Sequence, residues 1–189
     1  MPRSPFPSTT SLGLVALGAL WMLQTGCPGG ETCGPAGAPT TLVAGTDQIT
    51  LTYGNLEGGL NNDCPDPAAP EGIISLSIHG TQIDGTGLLT LCVPRPDRLA
   101  KEELGFGLNV AGSDIRLIDV TGTANSCTFT LDRTTPPTGT ASADGLCGNG
   151  SGSAGFAFVA DGALSLERTC GTTVDKVAVT LLGRVAIAQ

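Results

Sequence analysis

The stretch Val177-Ala178-Val179-Thr180-Leu181-Leu182-Gly183-Arg184-Val185-Ala186-Ile187 places Val177, Val179, Leu181, Val185 and Ile187 on one side of an extended chain. Side chains of a strand point alternately to opposite faces, so a period of two reads as a half-buried strand and not as a helix. The same alternation occurs upstream. Ile49, Leu51 and Tyr53 bracket Thr50 and Thr52; Ile74, Leu76 and Ile78 bracket Ser75 and Ser77; Cys127, Phe129 and Leu131 bracket Thr128 and Thr130. Between these runs lie the turn pairs Asp84-Gly85, Asp144-Gly145, Asn149-Gly150 and Asp161-Gly162. The last, flanked by strand-like residues 156–160 and 163–169, predicts a two-residue type I′ hairpin. One helical stretch is expected, Asp97 to Leu104, with Asp97 as its N-cap and Gly105 at its left-handed stop. Short strands separated by turns and not by long helices predict an all-β fold: an antiparallel β-sandwich or barrel of about eight to ten strands.

Composition bounds the core and the partners. Trp21 is the single tryptophan, and beyond it the aromatic residues are Tyr53, Phe106, Phe129, Phe156 and Phe158, so the core has to be aliphatic. The formal net charge is −8, and Arg3 is the only charge in the first 26 residues, so the rest of the chain is more acidic still. Such a surface repels phosphate backbones and anionic headgroups, which argues against a nucleic-acid partner and against electrostatic docking on a membrane.

Seven cysteines are an odd number for an oxidised domain, and Cys27 stands apart at the end of an uncharged apolar run from Leu12 to Leu23. That run has the length of a secretory h-region and is too short to span a bilayer. The segment Leu23-Gln24-Thr25-Gly26-Cys27 resembles the lipobox of bacterial lipoprotein precursors, with the small residues Thr25 and Gly26 before the cysteine and Gln24 where the family usually has leucine. The resemblance covers the first 27 residues. It implies cleavage after Gly26 and diacylation of the Cys27 sulfur, and Pro28 in place of an aspartate after the cysteine implies sorting to the outer membrane. Two or more acyl chains hold a protein stably where one holds it marginally. The ordinary alternative is a secretory signal cut nearby, which leaves Cys27 as a free or intermolecularly paired thiol.

Three regions result: a signal peptide over 1–26, a Gly/Pro-rich lipid-anchored spacer over 27–44, and one β-rich domain over 45–189. The remaining cysteines, Cys33, Cys64, Cys92, Cys127, Cys147 and Cys170, suffice for about three disulfides, in keeping with an exported domain. If Asp161-Gly162 is a hairpin loop, Cys170 falls opposite Ser153 and within reach of Cys147, which predicts Cys147–Cys170. Nearest-neighbour pairing then gives Cys33–Cys64 and Cys92–Cys127.

No stretch carries a recognisable reaction. Residues 150–155 match G-x-G-x-x-G, but Phe156 to Ala160 after them is strand-like, whereas a dinucleotide site needs the loop to open a helix. His79, the only histidine, shares the polar face of its strand with Ser75 and Ser77, and no serine sits in a G-x-S-x-G elbow. Asn61, Asp63 and Asp66 offer oxygen ligands to a calcium ion without EF-hand spacing, and an exposed turn held by a disulfide is the competing reading. Glu102 and Glu103 are adjacent on the expected helix and point apart, so they do not form the facing carboxylates of a glycosidase. Closely spaced zinc-type cysteine pairs are lacking, and no cofactor or metal is expected.

Asp144-Gly145-Leu146-Cys147 and Thr169-Cys170-Gly171 also resemble small Gly/Thr-rich lipoproteins predicted in deltaproteobacterial genomes. This resemblance covers about the last third of the chain and implies no activity. The expectation is a non-enzymatic, lipid-anchored envelope protein with a structural or binding role, its membrane contact made by lipid and its protein or glycan partner unidentified. The alternative is an envelope hydrolase or a carbohydrate-binding module; sugar-binding sandwiches present aromatic platforms, and Tyr53 is the one ring expected outside the core.

Overall fold

The computed structural model describes residues 31–32, 41–148 and 154–188. It is all-β. Eleven strands run in chain order as β1 (Glu31–Thr32), β2 (Thr41–Gly45), β3 (Thr50–Asn61), β4 (Ser75–Gln82), β5 (Leu88–Val93), β6 (Leu104–Leu108), β7 (Ile115–Ala124), β8 (Cys127–Leu131), β9 (Thr138–Gly148), β10 (Ala154–Cys170) and β11 (Thr173–Ala188). Between β5 and β6 lies one helical turn, α1 (Pro96–Leu99).

The sheet closes on itself. Its order is β9-β6-β7-β5-β4-β3-β2-β11-β10, and β10 pairs back onto β9 from Ala163↔Thr138 to Ala154↔Gly148. The result is a barrel, one of the two expected forms, and closure leaves few unpaired edges. At one end β8 bridges β7 and β10; at the other, β6 and β9 fill the same space. Most pairings are antiparallel as expected, but β6 runs parallel to β7 and β1 parallel to β9.

The four alternating runs lie in strands except for their first residues Ile49 and Ile74, which precede β3 and β4, and within the strands the apolar sides face inward. Leu51 and Tyr53 of β3, Leu76 and Ile78 of β4, and Leu181 and Val185 of β11 have no exposed surface. One contiguous core fills the ring, and its largest members are Tyr53, Phe129 and Phe158. Tyr53 is therefore no surface platform. Its hydroxyl donates to the Thr121 carbonyl at 2.8 Å, and burial, helped by the Asp119 charge, holds its phenol above the ordinary range.

Several local expectations are corrected. Asp161-Gly162 is no turn: both residues lie inside β10, paired with Leu182 and Leu181 of β11. A Cβ on Gly162 would stand 2.7 Å from the Phe106 ring, so this glycine admits an aromatic side chain against a strand and bends nothing. The two-residue type I′ turn occurs at Asn125-Ser126, where both φ values are positive (51° and 63°), between β7 and β8. Asp144-Gly145 is likewise within β9, whereas Asp84-Gly85 does lie in the β4–β5 turn. The helix is shorter than expected and starts earlier. Arg95 is its N-cap residue, Pro96 opens it, Asp97 sits in its first turn, and Gly105 belongs to β6. Residues 41–44, expected in the spacer, form most of β2, and Leu42 and Ala44 are core residues.

Cys64–Cys92 and Cys127–Cys170 are the disulfides among the described residues. They overturn Cys33–Cys64, Cys92–Cys127 and Cys147–Cys170. The reason is topological: the partner of β10 at its Cys170 end is β8, where Thr169 pairs with Thr128, and this brings Cys127 within a Cα separation of 4.4 Å. Cys27 and Cys33 lie outside the described residues, and so does the side chain of Cys147.

Candidate functional site

Inward-facing positions that are core in mid-barrel become a cavity wall at the end where β3 stops and β9 and β10 continue. Leu60 pairs with Leu76, near the end of β3 and the start of β4. Ala143 and Phe156 continue the inward rows of Ala141 and Phe158 and pack partly buried against the core. Two segments cross this opening, Gly72–Ile74 before β4 and α1 after β5. With Pro96, Asp97 and Ala100 of the α1 segment, the residues Leu60, Ile73, Ile74, Leu99, Ala143 and Phe156 enclose about 580 Å³. That volume is in the range of small-molecule pockets, and barrel mouths are a usual place for them.

Among the described residues, the side chains of the wall are apolar except for Asp97. Asp97 is gripped by Arg95 through two hydrogen bonds, from Nε at 2.9 Å and from an Nη at 2.8 Å. The pair holds the Asp97 carboxyl below the ordinary carboxylate range, so this charge is already answered at the rim. Leu60 and Ile74 are half exposed at 50 and 44 %, a solvent contact that aliphatic side chains make at a cost unless something covers them.

The opposite side of α1 is polar. Arg95, Arg98 and Arg116 surround a hollow of about 40 Å³ together with Asp66 and Asp114. Arg98 binds Glu102 and Asp114, each at 2.6 Å, which lowers the Glu102 pKa. Arg116 Nε is buried without a hydrogen-bond partner among the described residues. The hollow is too small for more than a water or two.

The residues singled out in the sequence are dispersed. Asn61 ends β3, and Asp63 lies in the strap that follows it, pinned by Cys64–Cys92 beside Ser75 and Ser77 of β4. Ser77 Oγ lies 3.0 Å from Asn61 Oδ1 and 3.2 Å from Asp63 Oδ2, and Ser75 Oγ donates to the Asn61 carbonyl at 2.7 Å. Ser75 and Ser77 are consequently buried, contrary to the open polar face expected beside His79. Asp66 is apart from this pair. It accepts from the Ala68 amide at 2.9 Å and faces the arginine hollow. The three do not come together as a calcium cage, and no group of three or more acidic, His or Cys side chains able to hold a metal occurs among the described residues. His79 is exposed, with Nδ1 3.3 Å from Thr90 Oγ1. Glu103 turns away from Glu102 to accept from Thr140 Oγ1 at 3.2 Å. In the G-x-G-x-x-G match, residues 150–153 lie outside the described residues, and from Ala154 the chain runs on as strand β10 and opens no helix.

No protein-family model, no curated protein and no solved structure matches this chain. The barrel mouth is a sizeable apolar cavity, and it is there that a function can be sought. The mouth was not legible beforehand because its walls come from five separate segments. The nearest signals were the apolar pair Ile73-Ile74 extending beyond its strand and the Pro94-Arg95-Pro96-Asp97 run that sets α1 across the opening.

Proposed function

We propose that the protein is a non-enzymatic, lipid-anchored protein of the cell envelope whose barrel mouth binds an apolar group. The observation that carries this reading is the apolar cavity of about 580 Å³, whose single charged residue among those described is neutralised by its own neighbour. Such a site offers van der Waals contact and desolvation to an apolar group. The two disulfides support an oxidising compartment. Acylation of Cys27 after cleavage behind Gly26 supplies the tether, and Pro28 directs it to the outer membrane.

The hydrolase or glycan-module alternative has less behind it. Tyr53 is enclosed by the core and His79 meets only Thr90 among the described residues, so neither supplies that reading with a ring platform or an oriented base. Two measurements test the proposal. Mass spectrometry of the mature N-terminus is expected to find a diacylated Cys27. A fluorescent apolar probe is expected to bind the folded barrel and to lose affinity at least tenfold in Leu60→Asp, since a carboxylate at the half-exposed rim has to be desolvated by the ligand. Equal binding by the variant sinks the cavity as the site.

A further inference from the structure

We propose that the occupant of the barrel mouth is an acyl chain carried by the protein's own Cys27; this rests on the lipid-anchor reading above. Three observations point to a tethered chain in preference to a free amphiphile. First, a free fatty acid or phospholipid brings a charged headgroup that needs a partner, and among the described residues the rim offers only Asp97, which is anionic and already paired with Arg95. The arginines of the polar hollow lie on the other side of α1, and two of the three are engaged by carboxylates. An acyl chain whose polar end is fixed covalently elsewhere needs no such partner.

Second, the chain enters the fold beside this cavity. Strand β1 pairs in parallel with β9, Glu31 opposite Cys147, and Cys147 in turn pairs with Gly155, next to Phe156 of the cavity wall. Third, the distances match. Cys27 precedes Glu31 by four residues, and Ala143, also in the cavity wall, precedes Cys147 by four on a strand running the same way. Four residues span at most about 14 Å, so the Cys27 sulfur has the reach to deliver an acyl chain to the opening. A short tether also gives its ligand an effective concentration in the millimolar range, which weak, purely apolar contact can use. One chain withdrawn into the barrel leaves fewer in the bilayer, so the cavity competes with the membrane for the anchor.

The test uses the full chain, exported by a lipoprotein-processing bacterium fed a diazirine-bearing fatty acid, purified in detergent and irradiated. Peptide mapping is expected to find the label on Cys27 and intramolecular adducts on peptides carrying Leu60, Ile74, Leu99 or Phe156. Ile74→Asp, at a half-exposed lip where the fold tolerates it, is expected to reduce those adducts several-fold while Cys27 stays fully acylated. A labelled Cys27 with adducts only on detergent or on other surfaces overturns the proposal and leaves the anchor standing. An unacylated Cys27 overturns both. In Cys27→Ser the cavity adducts are expected to fall about tenfold or more; their persistence identifies membrane lipid as the occupant and overturns the tethered chain.

Discussion

Asp132 accepts more hydrogen bonds than any other carboxylate among the described residues. It comes directly after β8 with little exposed surface, and its two oxygens accept from Thr135 Oγ1 at 2.6 Å, Thr134 Oγ1 at 2.7 Å, the Thr134 amide at 2.9 Å and Lys176 Nζ at 2.9 Å. These donors, Thr135 first, hold its carboxyl far below the ordinary range. A carboxylate with a depressed folded-state pKa stabilises fully above its unfolded value of about 3.9 and loses that contribution as pH falls toward the folded value. Asp132→Asn is therefore expected to lower Tm at pH 7, with the gap to the native protein narrowing steadily as pH falls from about 4 to 2 and not yet closed there. Melting curves across that range check it, and a gap that does not vary with pH assigns Asp132 a purely steric role. Gly162 makes a second residue-scale point. With Phe106 carbon at 2.7 Å and the Thr138 carbonyl at 2.9 Å from any added Cβ, Gly162→Val is expected to cost about 1–3 kcal/mol by displacing the ring, measured by chemical denaturation.

At the level of elements, alternation was legible because it is local: residues 49–53, 74–78, 127–131 and 177–187 each report their own inward face. The Asp161-Gly162 error shows where local reading ends. Gly serves a turn when φ must be positive and serves a strand when a ring passes over it, and only the distant Phe106 distinguishes the two. Disulfide pairing failed for the same reason, since Cys127 meets Cys170 through the β8–β10 ladder and not through any hairpin. Non-reducing peptide mapping is expected to return Cys64–Cys92 and Cys127–Cys170. With Cys27 acylated, the thiols left over are Cys33 and Cys147, and because β1 pairs with β9 at Cys147 the map is expected to join them. The 43-residue separation of Cys127 and Cys170 gives that bridge about 4 kcal/mol in the chain-entropy model. The helical turn α1 plugs the barrel through Leu99, which is 2 % exposed, so Leu99→Ala is expected to cost about 2–5 kcal/mol and to enlarge the cavity.

For the whole molecule, the closed ring, the entry of the chain along β9 and the site of the cavity together set an orientation. The turns at 83–87, 125–126 and 171–172 lie at the end of the barrel away from Leu60, Ile74 and Phe156, because each closes a strand pair whose other end runs toward the mouth. A protein anchored at Cys27 is thus expected to present its mouth to the bilayer and its tight turns to the aqueous phase. Neither the ring closure nor this polarity is written in any one segment; both depend on pairings between strands far apart in sequence, such as β9 with β10 and β2 with β11. The absence of tryptophan after Trp21 provides a clean probe, since a tryptophan placed in the processed protein is its only one. Ile74 and Val174, 44 and 57 % exposed, stand at the two ends and accept a larger side chain without disturbing the core. In vesicles containing brominated acyl chains, the fluorescence of the lipidated Ile74→Trp protein is expected to be strongly quenched and that of Val174→Trp to be little changed. Equal quenching at both positions means that the barrel lies on its side or tumbles on its tether, and stronger quenching at 174 inverts the orientation and places the mouth in water.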